Sequence, residues 1–144
     1  MSLLVLFGTL GGDTLRVPVP SYDNYLAVRF DGDDDIWMGE NPAGHVIYAG
    51  WGDDEVLMPG GQANQAVWQN VENCGNGGTS VSHKIEIFGQ AGDDILCGQR
   101  GSGDYIDGGS GSNFIYGFGG SDMILDGSVY PNVIWGGAGN DVIL

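Results

Sequence analysis

Asp94, Asp104, Asp122 and Asp141 share one setting. Each follows a glycine-rich stretch and stands two residues before an aliphatic side chain, Leu96, Ile106, Ile124 or Ile143. Asn113 holds the same place before Ile115. A lone Gly-Asp turn needs no metal, because Asp and Asn tolerate left-handed φ and bond their own backbone. A stacked row of such turns is different. Two carboxylates about 5 Å apart repel by roughly 1 kcal/mol in water, and by several-fold more at low effective dielectric. A hard cation with six to eight oxygen ligands, carboxylate and carbonyl together, removes that cost. Calcium suits this better than magnesium, which prefers strict octahedral geometry and keeps its waters.

Composition points to the same partner. Of 144 residues, 28 are glycine, yet 42% are apolar and no strict triplet runs through the chain, which argues against both collagen and simple disorder. Asp and Glu outnumber Lys and Arg by 19 to 4, a formal charge of −15. Nucleic acid and anionic lipid would meet like charge, so those partners are excluded. No stretch approaches the roughly 20 apolar residues of a membrane-spanning helix. Leu3-Leu4-Val5-Leu6-Phe7 lacks the basic flank of a signal peptide and reads as a first strand.

Other chemistry is thin. Asp33-Asp34-Asp35 reads as a solvated or metal-facing turn rather than a catalytic cluster, and no Gly-x-Ser-x-Gly or His-Glu-x-x-His motif occurs. No catalysis is expected. Cys74 and Cys97 are too few for a disulfide scaffold or a zinc site. A bridge between them and a pair of free thiols are both compatible with the sequence.

The elements that position the acids repeat about every ten residues. Turn positions fall at Asp13, Asn24, Asp34, His45, Asp54, Asn64, Cys74, His83, Asp94, Asp104, Asn113, Asp122, Asn132 and Asp141. Two residues after these 14 positions, 12 side chains are aliphatic and larger than Ala; Ala66 and Asn76 are the exceptions, beside a loop near 73–80. Short strands joined by tight turns, with one inward side chain each, are the expectation.

Gly136-Gly137-Ala138-Gly139-Asn140-Asp141-Val142-Ile143-Leu144 fits the nonapeptide G-G-x-G-x-D-x-U-x throughout, where U is a large aliphatic residue. Gly108-Gly109-Ser110-Gly111-Ser112-Asn113-Phe114-Ile115-Tyr116 fits with Asn for Asp. The stretches beginning at Gly89 and Gly117 fit with one glycine lost or moved, and Gly101-Ser102-Gly103-Asp104 follows a one-residue insertion. Residues 89–144 thus resemble the repeats-in-toxin (RTX) family; residues 1–88 carry degenerate copies. The resemblance implies an all-β parallel β-roll, a β-solenoid of about seven two-stranded coils forming a single domain over 1–144. At strand spacing the body is about 30 Å long.

Several calcium ions are then expected. Alternate turns lie on opposite sides, so one side carries Asp104, Asp122 and Asp141, with ions between successive members. The other carries Asp34, Asp54, Cys74, Asp94, Asn113 and Asn132, with ions between Asp34 and Asp54 and between Asp94 and Asn113. Gly92, Gly101, Gly103, Gly109, Gly111, Gly117, Gly119, Gly120, Gly137 and Gly139 supply the turns. His45, Asn64 and His83 bring no carboxylate and are expected to bind nothing.

The functional reading is a calcium-binding extracellular structural or adhesive protein. The alternative is a non-catalytic accessory module, for polysaccharide binding or secretion, of a larger RTX-like enzyme. An ice binder is disfavoured because no row of Thr or Asn occupies the turns. Outward positions Ile95, Phe114, Tyr116, Met123, Leu125, Val133, Trp135, Val142 and Leu144 are apolar, and the last motif leaves a strand edge at Leu144. Self-association into a dimer or filament through the C-terminal half is therefore expected.

Overall fold

The computed structural model describes residues 3–16, 24–28, 30–37, 46–57, 74, 84–101 and 103–144. Fourteen strands occur among them: β1 Leu3–Phe7, β2 Thr14–Arg16, β3 Asn24–Val28, β4 Phe30–Asp31, β5 Asp35–Trp37, β6 Val46–Trp51 and β7 Glu55–Leu57, then β8 Glu86–Ala91, β9 Ile95–Cys97, β10 Tyr105–Asp107, β11 Phe114–Tyr116, β12 Met123–Leu125, β13 Val133–Trp135 and β14 Val142–Ile143. Most are three residues long because a β-strand alternates its side chains. One inward residue between two outward ones crosses so thin a body.

Two parallel sheets face each other. One runs β1-β3-β6-β8-β10-β12-β14, with β4 also paired to β6, and the other runs β13-β11-β9-β7-β5-β2. Ile47, Ile87, Ile106 and Ile124 stack in register along the first sheet. Ile36, Val56, Leu96 and Ile115 stack along the second. All eight are at most 1% exposed. Burying each aliphatic side chain stabilises the fold by about 1.5–3 kcal/mol, which is why a large aliphatic residue recurs at that position. The all-β parallel solenoid expected from the repeat is the observed architecture.

The expected seven coils are too many. Strand β6 pairs directly with β8, and β7 with β9, so no further strand stands between them in either sheet. Asn64, expected as a turn, lies outside the described residues, as do His45 and His83. Cys74 is no rung of the stack. It is fully buried and disulfide-bonded to Cys97, with 5.5 Å between the Cα atoms. Cys97 flanks inward Leu96 in β9, so the bridge fixes Cys74 to the second sheet.

The phase near β8 is also corrected. Tyr105 pairs with Glu86 and Ile106 with Ile87, so Ile87 is the core rung. Ile85 therefore sits where the other turns carry Asp, and it is buried there.

Candidate metal centre: two ladders of buried carboxylates

The residue that closes each turn points its side chain inward, and its Oδ1 accepts the backbone N–H of the equivalent residue one coil earlier. On the side of the second sheet, Asp34 accepts from Asp13 at 2.6 Å, Asp54 from Asp34 at 2.9 Å and Asp94 from Asp54 at 2.9 Å. Asn113 then accepts from Asp94 at 2.9 Å and Asn132 from Asn113 at 2.8 Å. On the other side Asp104 accepts from Ile85 at 3.1 Å, Asp122 from Asp104 at 2.8 Å and Asp141 from Asp122 at 3.0 Å. These bonds make Asp or Asn useful at the position whether or not a cation is near, since each satisfies a backbone donor that the stack buries.

The second oxygen separates the sites. Oδ2 of Asp34, Asp54, Asp94 and Asp122 is buried and meets no hydrogen-bond donor. These four residues are at most 1% exposed. At Asp13, Asp104, Asn113 and Asn132 the protein supplies its own partner. Thr9 donates to Asp13 Oδ2 through its N–H at 2.6 Å and its hydroxyl at 2.9 Å. The Gln99 N–H donates to Asp104 Oδ2 at 2.7 Å. Asn113 and Asn132 turn their amides onto Asp126, at 3.1 Å and 2.8 Å. Leaving a buried acceptor unmet costs about 1–3 kcal/mol, more when it is charged.

Burial pushes the acids up. Desolvation is the largest cause at each, with neighbouring carboxylates adding to it and the backbone hydrogen bonds opposing it. Asp54 and Asp104 rise to about 7, Asp94 to about 8 and Asp122 to about 6, while Asp34 is raised to a lesser degree. Burial thus disfavours the charged form of these carboxyls, a cost that a proton or a cation would relieve.

The glycines make room for this arrangement. A Cβ on Gly89 or Gly117 would collide with Oδ2 of Asp94 or Asp122, and one on Gly136 with that of Asp141. Gly92 combines a φ of 145° with the Gly52 carbonyl packed against its Cα, a position only glycine occupies without strain. Gly101, Gly109, Gly111, Gly120, Gly137 and Gly139 lie in the same positive-φ region of their turns. Gly103 abuts the Ser121 carbonyl, Gly117 lies beneath the Asp122 carboxylate, and Gly119 bridges to Ala138. Turn carbonyls and carboxylates are thus packed together.

Among the described residues no three His, Cys, Asp or Glu side chains converge on a point. A calcium ion here would instead take paired carboxylates from successive turns and complete its six to eight oxygens with turn carbonyls. The four donorless Oδ2 atoms fit that oxygen-rich demand, and those of Asp94 and Asp122 lie near the Gly108 and Gly136 carbonyls around Gly89 and Gly117.

The RTX calcium-binding nonapeptide repeat matches the chain in four copies, over residues 86–103, 101–125 and 124–144. The C-terminal coils are RTX repeats. No curated protein and no solved structure matches the chain. The RTX repeats comprise β8 to β14, and their sheets continue unbroken into β7, β6 and the earlier strands.

Two features of the site escaped the sequence reading. Asp54 and Asp94 are direct neighbours, with no Cys74 turn between them. Asp33, Asp53 and Asp93 form a second, outer row: Asp53 N–H donates to Asp33 at 3.0 Å and Asp93 N–H to Asp53 at 2.9 Å. The triplet Gly-Asp-Asp, repeated at 32–34, 52–54 and 92–94, was the available signal for both.

Proposed function

We propose that this chain is an extracellular structural or adhesive β-roll whose fold is completed by several calcium ions. The buried, donorless Oδ2 atoms of Asp34, Asp54, Asp94 and Asp122 carry the reading. Ions between the turns of Asp34, Asp54 and Asp94 form one row, with Asn113 at its end. Asp122 and Asp141 hold the other. Asp104 already has the Gln99 N–H on its second oxygen, so the Asp104–Asp122 step is the weaker site. The whole of 1–144 acts as one domain, since both rows depend on coils that share one core. No catalytic role is assigned.

The Cys74–Cys97 bridge supports an extracellular setting, where disulfides persist and free calcium is abundant. Self-association is supported by exposed apolar side chains in the C-terminal half. Met123 and Val142, paired in register on the first sheet, are 43% and 46% exposed, and Trp135 on the second is 47% exposed. A stable dimer or filament in calcium follows from covering them.

Circular dichroism in chelator and then in millimolar calcium tests the reading. Calcium is expected to raise both the β signal and the melting temperature, because binding energy adds to folding energy when the site exists only in the folded state. Identical spectra and melting curves in both solutions would refute it.

A further inference from the structure

Beside the turn that follows β6, a cavity of about 230 Å³ is lined by Asp31, Gly50, Trp51 and Gln90. It lies outside the buried carboxylate rows, on the surface where Asp31 pairs with Trp51 and Gly50 with Gln90. At roughly 30 Å³ per water, it holds on the order of eight waters, close to the bulk of one sugar ring. Trp51 is 69% exposed, so its indole is open to a ligand in the cavity.

Gln90 gives an independent reason to look here. It adopts a φ of 77°, the left-handed region. The matching position of the clean repeats is glycine, Gly109 and Gly137, both also at positive φ. A side chain there costs roughly 1–2 kcal/mol. Phe118 makes the same departure, but it packs on Tyr116 with ring centroids 4.3 Å apart. Gln90 is exposed and lines the cavity instead, so packing does not account for it. Backbone strain kept at an exposed amide directs attention to what the side chain contacts.

The geometry points to a binding site for one pyranose unit of an uncharged glycan. The indole offers an apolar platform for the C–H face of the ring. Asp31 accepts hydrogen bonds from hydroxyls, and the Gln90 amide both donates and accepts, which matches the hydroxyl groups of a sugar. Acidic or sulfated glycans are rejected by the carboxylate of Asp31 and by a net charge of −15. An organic ammonium ion would use Trp51 and Asp31 but leave the Gln90 amide without a role.

The calcium-loaded chain should be titrated with neutral hexasaccharides of glucose, mannose and xylose, with choline in a parallel series, by the indole N–H signals in NMR. The expected result is a saturable shift of one indole with at least one sugar, abolished by Trp51→Ala. Gln90→Gly should weaken binding by about fivefold, the worth of one neutral hydrogen bond, while leaving the melting temperature equal or higher. No saturable shift up to about 10 mM sugar, a shift that survives Trp51→Ala, or saturation by choline alone would overturn the inference. Such a failure in a chain that still folds with calcium leaves the metal reading standing.

Discussion

Replacing Asp122 by Asn should change stability in opposite directions with and without calcium. Asn keeps the Oδ1 that accepts the Asp104 N–H and has nearly the same shape, so the perturbation is the charge and the second oxygen. Without metal, burial raises the Asp122 carboxyl from 3.8 to about 6. Two pH units at 1.36 kcal/mol each set a ceiling near 3 kcal/mol at pH 7. Relaxation of the surrounding turns reduces this to about 1–2 kcal/mol, and an Asn amide without an acceptor takes back up to about 1 kcal/mol. The metal-free variant should therefore match the parent or exceed it by about 1 kcal/mol in urea unfolding. In millimolar calcium the order reverses, because an anionic ligand is gone and the ion binds less tightly. Asp13→Asn, whose carboxylate Thr9 already serves, should show no such reversal. If Asp122→Asn were destabilising by the same amount in both solutions, the carboxylate would be a backbone cap only, and the reasoning would fail.

Three further outcomes follow from the same geometry. The metal-free chain should be most stable near pH 4 and lose stability through pH 6–8 as Asp122, Asp54, Asp104 and Asp94 ionise, since their folded values lie above the unfolded 3.8; calcium should flatten that profile and release protons, measurable in a pH-stat. Reducing Cys74–Cys97, which spans 23 residues, should cost roughly 3 kcal/mol, seen as a lower melting temperature of the Cys74→Ser, Cys97→Ser double variant. Asp126→Ala should cost about 1–3 kcal/mol by stranding the Asn113 amide and removing one of the two acceptors of the Asn132 amide, which Ser128 Oγ also takes, by equal amounts in calcium and in chelator because these amides are held by protein groups.

The parts legible in the sequence were those whose signal is local. Ile106, Ile115 and Ile124 announced the core because one inward residue per short strand, after a glycine turn, is a pattern contained within nine residues. Asp122 and Asp141 announced paired turns for the same reason. What failed was pairing at a distance. The segment between β7 and β8 breaks the repeat step, since β6 pairs directly with β8, and nothing near Asn64 or Cys74 marks that break in the sequence. Carrying a ten-residue step through it placed a turn at His83, two residues before its true position at Ile85. It also separated Asp54 from Asp94, whose hydrogen bond spans 40 residues. The protein partners of the second oxygens were hidden too. Gln99 reaches Asp104 from a turn that carries a one-residue insertion, and Asp126 falls at no defined position of the nonapeptide. These contacts decide which carboxylates lack a donor, and they exist only once the coils are stacked.

Equilibrium dialysis against calcium tests the central claim most directly. The intact chain should hold several ions at millimolar calcium, with no displacement by equimolar magnesium. The combined Asp54→Asn, Asp122→Asn variant should hold fewer by at least one in each row. A chain that retains no calcium under these conditions, or a variant that retains as much as the parent, would contradict the account.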